Sequence, residues 1–263
     1  MSVSLDDLRI LLVEPSGTQR RILQKYLAKC GVGSVVPVRT MKAALEALHE
    51  DKADVVLSAM HLPDGRGWEM LRRIRLDAEI SDVPFLLISS ESEAKELEPI
   101  RQGGTVAIIK KPCSQDDLYD ALNHAVDFLT KESLELEEVD IEDIRALVVD
   151  DSRTARRFIT TVLSQLGIEQ ISEAADGAQA AEEMQVSFFD IVFTDFNMPN
   201  MNGQQLVEWI RNSSNQPDIP VLMITSEKSG ARIAGVEKAG VSAIIDKPFE
   251  VERVRRILMT VFN

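Results

Sequence analysis

The sequence predicts an α/β protein made of two doubly wound domains, each with a five-stranded parallel sheet. Two observations carry this prediction. The chain repeats itself at a constant offset of 136 residues, and each copy alternates five short apolar runs with amphipathic stretches. At 263 residues the chain is long for one domain and suits two domains of ordinary size.

The internal repeat is free of insertions over most of its length. RILLVEPSGTQRRIL at 9–23 aligns with RALVVDDSRTARRFI at 145–159. A repeat of this kind decides the architecture, because each copy must be able to form the same fold. The same offset pairs further landmarks, namely Gly31 with Gly167, Pro63 with Pro199, Gly67 with Gly203, Pro84 with Pro220, Gly104 with Gly240, and Lys111-Pro112 with Lys247-Pro248.

The apolar runs are short and rich in Val, Ile and Phe, as in strands that are buried on both faces. Because such strands alternate with helical stretches, we expect parallel sheets with helices on both sides. The predicted strands are 10–14, 34–38, 54–59, 84–89 and 106–110 in the first copy, and 146–150, 170–174, 190–195, 220–225 and 242–246 in the second.

The stretches between the strands have helical spacing. Phe158, Val162 and Leu166 lie four residues apart and would share one face of a helix. Ser152 precedes this helix as a candidate N-cap, and Gly167 follows it as a candidate C-cap. The second copy therefore predicts a strand, a capped helix and the next strand in succession.

An acidic segment divides the chain into a first domain at 1–130 and a second at 144–263. The connecting residues, 131–143, hold one basic and seven acidic side chains, which is a large share of the net charge of −14. Two interpretations are open: a helical continuation of the preceding segment, which the lack of Gly and Pro favours, or a solvated linker.

Composition excludes several classes of protein. The negative net charge argues against a nucleic-acid surface, which needs clustered Lys and Arg. No stretch approaches the roughly 20 apolar residues of a membrane span, and the first residues lack the pattern of a signal peptide. Cys30 and Cys113 are too few for a disulfide framework. We expect a cytoplasmic protein.

Polar residues collect at the predicted strand ends of the second copy. Asp150-Asp151, Asp195, Thr225 and Lys247 follow four strands, and the carboxyl ends of parallel strands meet at one edge of the sheet. Clustered carboxylates repel one another unless a cation is present, and oxygen ligands favour Mg²⁺. A carboxylate beside Mg²⁺ can attack a phosphoryl group, whose oxygens a hydroxyl and an ammonium then neutralise.

Each of these residues alone has an ordinary structural explanation, such as a helix cap, a turn or strand packing. Together, in this order, they indicate a phosphoryl-accepting site. The segments VVDDSRTARRFI, FTDFNMPNMNG, LMITSE and IIDKPF resemble the response-regulator receiver domain, most closely its single-domain chemotaxis type. The resemblance covers 144–263 and, in its strand pattern, 5–130.

The resemblance implies a flavodoxin-like fold and a role for each site residue. Asp195 would be the phosphoacceptor, and a histidine kinase or a histidine phosphotransfer protein the donor. Thr225 and Lys247 would contact the phosphoryl group, and the Lys247-Pro248 bond would be cis. The Mg²⁺ ligands would be Asp151, Asp195 and the backbone carbonyl of Asn197, with Asp150 acting through water. Asn197 and Glu227 match positions that control the access of water.

The second copy departs from the family pattern at one position. Ile244 stands where many receiver domains have a switching Tyr or Phe. Because of this departure, the resemblance alone does not carry over to this chain either the aromatic switch or the flagellar-motor partner of the chemotaxis type.

The first copy is a degenerate receiver domain. Glu14-Pro15 stands in place of the acidic pair, Ala59 in place of Asp195, and His61 in place of Asn197, although Ser89 and Lys111 survive. Ala has no nucleophile and Pro no carboxylate, so phosphoryl transfer by the family route is excluded. We expect this domain to fold and to serve as a binding or dimerisation surface.

Three functions can be compared with this pattern of residues. The leading function is that of a response regulator, which acts through protein contacts with a downstream partner or as a homodimer. We expect no DNA-binding output domain. We also expect no enzymatic activity beyond its own phosphorylation and dephosphorylation. A phosphohydrolase is the second, but such enzymes carry a D-x-D pattern that the adjacent aspartates at 150–151 do not match. The third is a scaffold that is never phosphorylated in the cell.

Overall fold

A computed structural model of the protein describes residues 3–51, 53–91, 93–130, 134, 136 and 139–262. The chain divides into two compact units, residues 1–131 and 132–263. Both units are α/β, and each is built around a five-stranded parallel sheet. Among the described residues, no helix is both long enough and apolar enough to cross a bilayer.

The first unit has the strand order β2-β1-β3-β6-β7, with all pairs parallel. A short antiparallel hairpin, β4-β5, follows β3. The strands are β1 (Arg9–Val13), β2 (Ser34–Val38), β3 (Val55–Ala59), β4 (His61–Leu62), β5 (Gly65–Arg66), β6 (Phe85–Ser89) and β7 (Ala107–Lys110), and the helices are α1 (Gly17–Lys29), α2 (Met41–Asp51), α3 (Gly67–Leu76), α4 (Ala94–Arg101) and α5 (Gln115–Leu129).

The second unit repeats this topology with the order β9-β8-β10-β11-β12. This is the flavodoxin-like order, so the predicted fold class is confirmed. The strands are β8 (Arg145–Val149), β9 (Gln170–Ala174), β10 (Ile191–Thr194), β11 (Val221–Thr225) and β12 (Ala243–Asp246), and the helices are α6 (Arg153–Gln165), α7 (Gly177–Val186), α8 (Gly203–Ser213), α9 (Gly230–Ala239) and α10 (Val251–Phe262).

The central strands lie entirely in the core. Every residue of β3, β6 and β11 is buried, as expected for strands with helices on both faces. The ten long strands begin and end within one residue of their predicted bounds. The β4-β5 hairpin was not predicted, because strands of two residues leave no apolar run in the sequence.

The acidic connector does not continue α5 without a break. The helix ends at Leu129, and Thr130 has an extended backbone. Of the residues expected to be helical, 131–133, 135, 137 and 138 lie outside the described part, and the described remainder shows only a short 3-10 turn at Ile141–Asp143. Ile141 of this turn is buried, whereas Asp140, Glu142 and Asp143 beside it are exposed.

Leu134 shows how closely the connector joins the second unit. Its side chain is buried, and its backbone N–H donates to the carbonyl of Leu166 at 2.8 Å. The side-chain amide of Gln170 donates to the carbonyl of Glu142 at 3.0 Å. These contacts place residues before 144, including the buried side chain of Leu134, in the second unit.

An arginine ties two loops together in each unit. Arg75 is 2% exposed, and its guanidinium donates to the carbonyls of Ser81, Val83 and Gly104 at 2.7–2.8 Å. Arg211, at the repeat offset, donates in the same way to Pro217, Ile219 and Gly240. Each arginine holds the loop before the fourth long strand against the turn before the fifth.

We predict that Arg75→Met destabilises the first unit by about 2–4 kcal/mol, because three carbonyls, two of them in buried contacts, lose their donor. The measurement is urea unfolding followed by tryptophan fluorescence. A Trp209→Phe background leaves Trp68, which packs against the first core, as the reporter of this unit. Arg72→Met, an exposed change on the same helix, is the control and should shift stability by less than about 0.5 kcal/mol. Equal midpoints for the two variants would contradict the assigned role.

Candidate functional site

Four strand ends of the second unit bring the predicted site residues to one edge of the sheet. Asp150 follows β8, Asp195 follows β10, and Thr225 is the last residue of β11. Lys247 follows β12, the strand at the sheet's edge. The parallel pairing of these strands explains why residues nearly 100 positions apart in the chain can meet.

Three charged side chains form the centre of the site. Lys247 Nζ donates to Asp150 Oδ2 at 2.6 Å and to Asp195 Oδ1 at 3.0 Å. Asp150 and Asp195 are each 0% exposed, and Lys247 is 4% exposed. Such charges are buried only when they are paired and hydrogen-bonded. The lysine thus joins the ends of β8 and β10.

Backbone groups fix the two carboxylates in place. Asp195 Oδ2 accepts from the N–H of Asn197 at 2.9 Å, and Asp150 Oδ1 accepts from the N–H of Ser152 at 2.8 Å. Arg156 Nη1 donates to the carbonyl of Asp150 at 2.6 Å. Each carboxylate therefore uses one oxygen for Lys247 and the other for the loop that follows its strand.

Burial dominates the electrostatics of the site. It raises the pKa of Asp195, the neighbouring charge of Asp150 raises it further, and Lys247 offsets only part of this rise. Burial lowers the pKa of Lys247, but its two carboxylate partners outweigh that effect and leave the pKa raised. With both aspartates ionised, the three groups carry a net negative charge, and a further cation would relieve it.

Thr225 and the acidic residue after Asp150 complete the set. The Thr225 hydroxyl is buried and accepts from the N–H of Glu227 at 3.1 Å, while the N–H of Lys247 donates to the carbonyl of Thr225 at 2.9 Å. Asp151 is exposed. The sheet edge thus holds a buried hydroxyl and a buried ammonium on neighbouring strands, with one carboxylate at the surface.

The donor chemistry of the site suits Mg²⁺. Buried carboxylates with an all-oxygen environment and an excess of negative charge are what this ion prefers. Within the described ranges, no three His, Cys, Asp or Glu side chains are grouped so as to hold a metal as they stand. The ligand set of Asp150, Asp151, Asp195 and Asn197 therefore stays a prediction.

The first unit keeps part of this arrangement. Glu14 is buried and lies 3.2 Å from Lys111 Nζ through Oε2, while Oε1 accepts from the N–H of Ser16 at 2.8 Å. Arg20 donates to the carbonyl of Glu14 at 2.9 Å, as Arg156 does to Asp150. Ala59 is buried where the second unit has Asp195. The first unit therefore has an acid–lysine pair like that of the second unit, but it has no carboxylate at the position of Asp195.

His61 makes two contacts that the sequence did not predict. Its Nε2 lies 3.1 Å from Glu91 Oε1, and its Nδ1 lies 3.0 Å from Arg66 Nη1. The N–H of Glu91 donates to the Ser89 hydroxyl at 3.0 Å, which matches the bond between Glu227 and Thr225. His61 therefore connects the β4-β5 hairpin, which follows β3, to the loop after β6.

Arg232, in the first turn of α9, is a site residue that sequence reasoning missed. Its Nη1 donates to Glu227 Oε2 at 2.7 Å, and its Cζ lies 5.8 Å from the centroid of the Phe196 ring. An arginine on a helix surface gives no sequence signal of such contacts. It borders a cleft of about 420 Å³ lined by Phe196, Asn197, Met198, Asn202, Gln204 and Arg232.

Two sequence expectations concern the end of β12. The Lys247-Pro248 bond is cis, as expected, and so is Lys111-Pro112 in the first unit. Ile244 is half-buried against the second core, and its carbonyl accepts from Arg253 Nη2 at 3.1 Å. An aliphatic side chain therefore occupies the position where the family often places a switching aromatic ring.

Comparison with known proteins gives the same result for both units. The family model described as the response regulator receiver domain matches residues 10–123 and residues 146–259. The two matches together span most of the chain and coincide with the two sheets.

Curated relatives come from bacterial chemotaxis. Chemotaxis protein CheY1 of Helicobacter pylori is 41% identical over 121 residues, which is 46% of this chain and 98% of that protein. Chemotaxis protein CheY-3 of Vibrio cholerae is 37% identical over 122 residues, covering 46% of this chain and 94% of that protein. A solved structure of Vibrio cholerae CheY4 matches 45% of this chain and 98% of its own at 33% identity, with a TM-score of 0.42.

We predict that Asp195→Asn stabilises the second unit at pH 7 in the absence of Mg²⁺. Burial and the neighbouring charge of Asp150 both oppose ionisation of Asp195, so a neutral side chain of the same shape removes an unfavourable charge, while Lys247 keeps Asp150 as its partner. The pKa of Asp195 is higher in the folded unit than in the unfolded chain, so the folded unit binds more protons between those two values. The free energy of unfolding of the wild type therefore falls as the pH rises through that window.

Urea unfolding in a Trp68→Phe background, where Trp209 reports on the second unit, measures the effect. The advantage of Asp195→Asn should shrink as the pH falls below the window, because Asp195 is then protonated in both states. Glu182→Gln, an exposed change of the same type, is the control and should show no such dependence. A variant less stable than the wild type at pH 7 would contradict this account of the site.

Proposed function

Because this chain belongs to the response-regulator receiver family of two-component systems and carries two receiver domains in tandem, we propose that its second domain accepts a phosphoryl group on Asp195. The proposed donor is the phosphohistidine of a histidine kinase or a histidine phosphotransfer protein. The observation that supports this most directly is the buried ammonium of Lys247, which lies within hydrogen-bond distance of both Asp150 and Asp195.

The proposed step is a displacement at phosphorus. A carboxylate oxygen of Asp195 forms a bond to the phosphorus atom while the bond from phosphorus to the donor's imidazole nitrogen breaks, and the imidazole keeps that electron pair. Lys247 and the hydroxyl of Thr225 neutralise and orient the phosphoryl oxygens. Later attack by water returns Asp195 to its carboxylate and releases inorganic phosphate.

Mg²⁺ would supply the remaining positive charge when bound. The residues proposed to hold it are Asp151, Asp195 and the carbonyl of Asn197, with Asp150 acting through water. The raised pKa of Asp195 supports this proposal, because a cation beside a buried carboxylate favours its ionised, nucleophilic form.

The output is proposed to be a protein contact. We propose no enzymatic activity on other substrates, and no contact with nucleic acid. The downstream partner, a homodimer of the chain, and a cytoplasmic location stay predictions. The chemotaxis relatives suggest a related pathway, but each corresponds to only about half of this chain.

The first domain favours a second, non-chemical role. Its lysine is already paired with Glu14, and Ala59 offers no acceptor. We propose that this domain is a docking or dimerisation surface. If the second domain were also never phosphorylated in the cell, the whole chain would be a scaffold. Binding of beryllium fluoride with Mg²⁺ by the second domain would argue against that alternative.

We predict that acetyl phosphate with Mg²⁺ adds one phosphoryl group to the protein and that Asp195→Asn abolishes the addition. The measurement is intact mass, supported by the base lability that is typical of an acyl phosphate. Asp190→Asn, a change at the other end of β10, should be modified like the wild type. Modification that persists in Asp195→Asn would rule out this acceptor.

We also predict that Ala59→Asp alone does not make the first domain a phosphoacceptor. The new carboxylate would share Lys111 with Glu14, but Pro15 provides no third acid for Mg²⁺. Without the ion, phosphoryl transfer loses most of its charge stabilisation. In an Asp195→Asn background, intact mass after acetyl phosphate treatment should show no addition.

The combined change of Glu14→Asp, Pro15→Asp and Ala59→Asp is the positive comparison, and it should regain measurable Mg²⁺ binding. Phosphorylation of the single Ala59→Asp variant would show that the missing acidic pair is dispensable. In that case the loss of chemistry in the first domain would have another cause.

A further inference from the structure

Arg232 contacts both loops that follow the central strands of the phosphoacceptor site. Phe196 comes directly after Asp195, and Glu227 lies two residues after Thr225. The guanidinium donates to Glu227 and lies against the ring of Phe196. Since Arg232 belongs to α9, one side chain connects this helix to both loops.

The carboxylate of Glu227 is held at several points. Oε1 accepts from the N–H groups of Lys228 at 3.0 Å and of Ser229 at 2.8 Å, and Oε2 accepts from Arg232. The bond from Ser229, followed by that from Arg232, lowers the pKa of Glu227, so the group is ionised at neutral pH. A negative charge therefore lies close to the hydroxyl that would receive a phosphoryl oxygen.

The first unit holds the matching glutamate from a different direction. Glu91 lies beside His61, which belongs to the β4-β5 hairpin. At the offset of 136 residues, Glu96 stands where the second unit has Arg232, and Met60 stands where it has Phe196. In the second unit, by contrast, the side chain that contacts the matching glutamate belongs to α9.

We propose that Arg232 is a positioning residue that holds the Glu227 carboxylate against α9 and neutralises it while an anionic phosphodonor approaches Asp195. This inference rests on the proposed phosphorylation of Asp195. Arg232 is the charged member of the side chains that line the cleft beside Phe196, and the others that are polar are amides. Without Arg232, the ionised Glu227 would lose the cation that neutralises it, and its negative charge would repel the donor.

The test compares rates of Asp195 phosphorylation in the full-length protein, with acetyl phosphate as the donor and Mg²⁺ in excess. We expect Arg232→Ala to be about 3- to 10-fold slower at low ionic strength, which is the scale of one uncompensated charge near the site. The penalty should become smaller in 1 M salt, because the repulsion is screened. Lys238→Ala removes a positive charge from the exposed last turn of the same helix and should leave the rate unchanged.

The decisive variant is the double change Arg232→Ala with Glu227→Gln, which removes the repelling charge as well. Its rate should return to within about twofold of the wild type. A loss of structure could not be repaired by a neutral amide, so this rescue separates positioning of charge from a role in folding. Arg232→Gln repeats the comparison in case the alanine variant does not fold.

Each outcome bears on a different claim. A rate for Arg232→Ala equal to that of the wild type would overturn the inference, and so would a slow double variant. If the wild type and Lys238→Ala are both unphosphorylated, the proposed function fails instead.

Discussion

One buried ammonium group shared by two carboxylates is the interaction on which the site at the strand ends of the second unit depends. Lys247 follows the edge strand β12, yet its Nζ reaches past β11 to residues at the ends of β10 and β8. This contact requires the four strand ends to lie at the same level, which the parallel register provides. It also requires that water be excluded, since the same ion pairs at the surface would hold the loops only weakly.

The degenerate domain shows which part of this interaction the fold itself needs. Glu14 has replaced an aspartate, but it still accepts from the loop N–H and still contacts the lysine. Glu14 is buried, and a buried carboxylate without a partner would be strongly destabilising, so its pair with Lys111 stabilises the first unit although no acceptor is present. The Lys111 side chain is 28% exposed, against 3% for Lys247, because it has lost the second carboxylate that closed the site. The acid–lysine pair therefore forms in this fold whether or not a second carboxylate is present.

The loops around the site have diverged more than the strands. In both units the residue two positions after the strand-end hydroxyl is a glutamate whose N–H donates to that hydroxyl. The side chain that contacts its carboxylate comes from a different element in each unit, from the β4-β5 hairpin in one and from α9 in the other. The backbone arrangement is common to both copies, whereas the side chains set how open the strand ends are to a charged ligand.

The sequence alone predicts the duplication, the ten long strands and the fold class, and it marks Asp195 as the candidate acceptor. These features depend on local apolar runs and on the rule that parallel strands present their carboxyl ends at one edge. The loss of the acceptor in the first copy was equally visible, because Ala59 and Pro15 have no functional group to offer.

Only the tertiary structure decided which side chains meet. The sharing of Lys247 between Asp150 and Asp195, the clamp made by Arg75, the burial of Leu134 and the contact of Arg232 with Phe196 join residues that are distant in the chain or lie on different elements. Such contacts depend on how helices pack against the sheet and on which rotamers the packing leaves open. The periodicity of apolar residues in the sequence predicts which face of a helix or strand is buried. It does not predict which other element packs against that face.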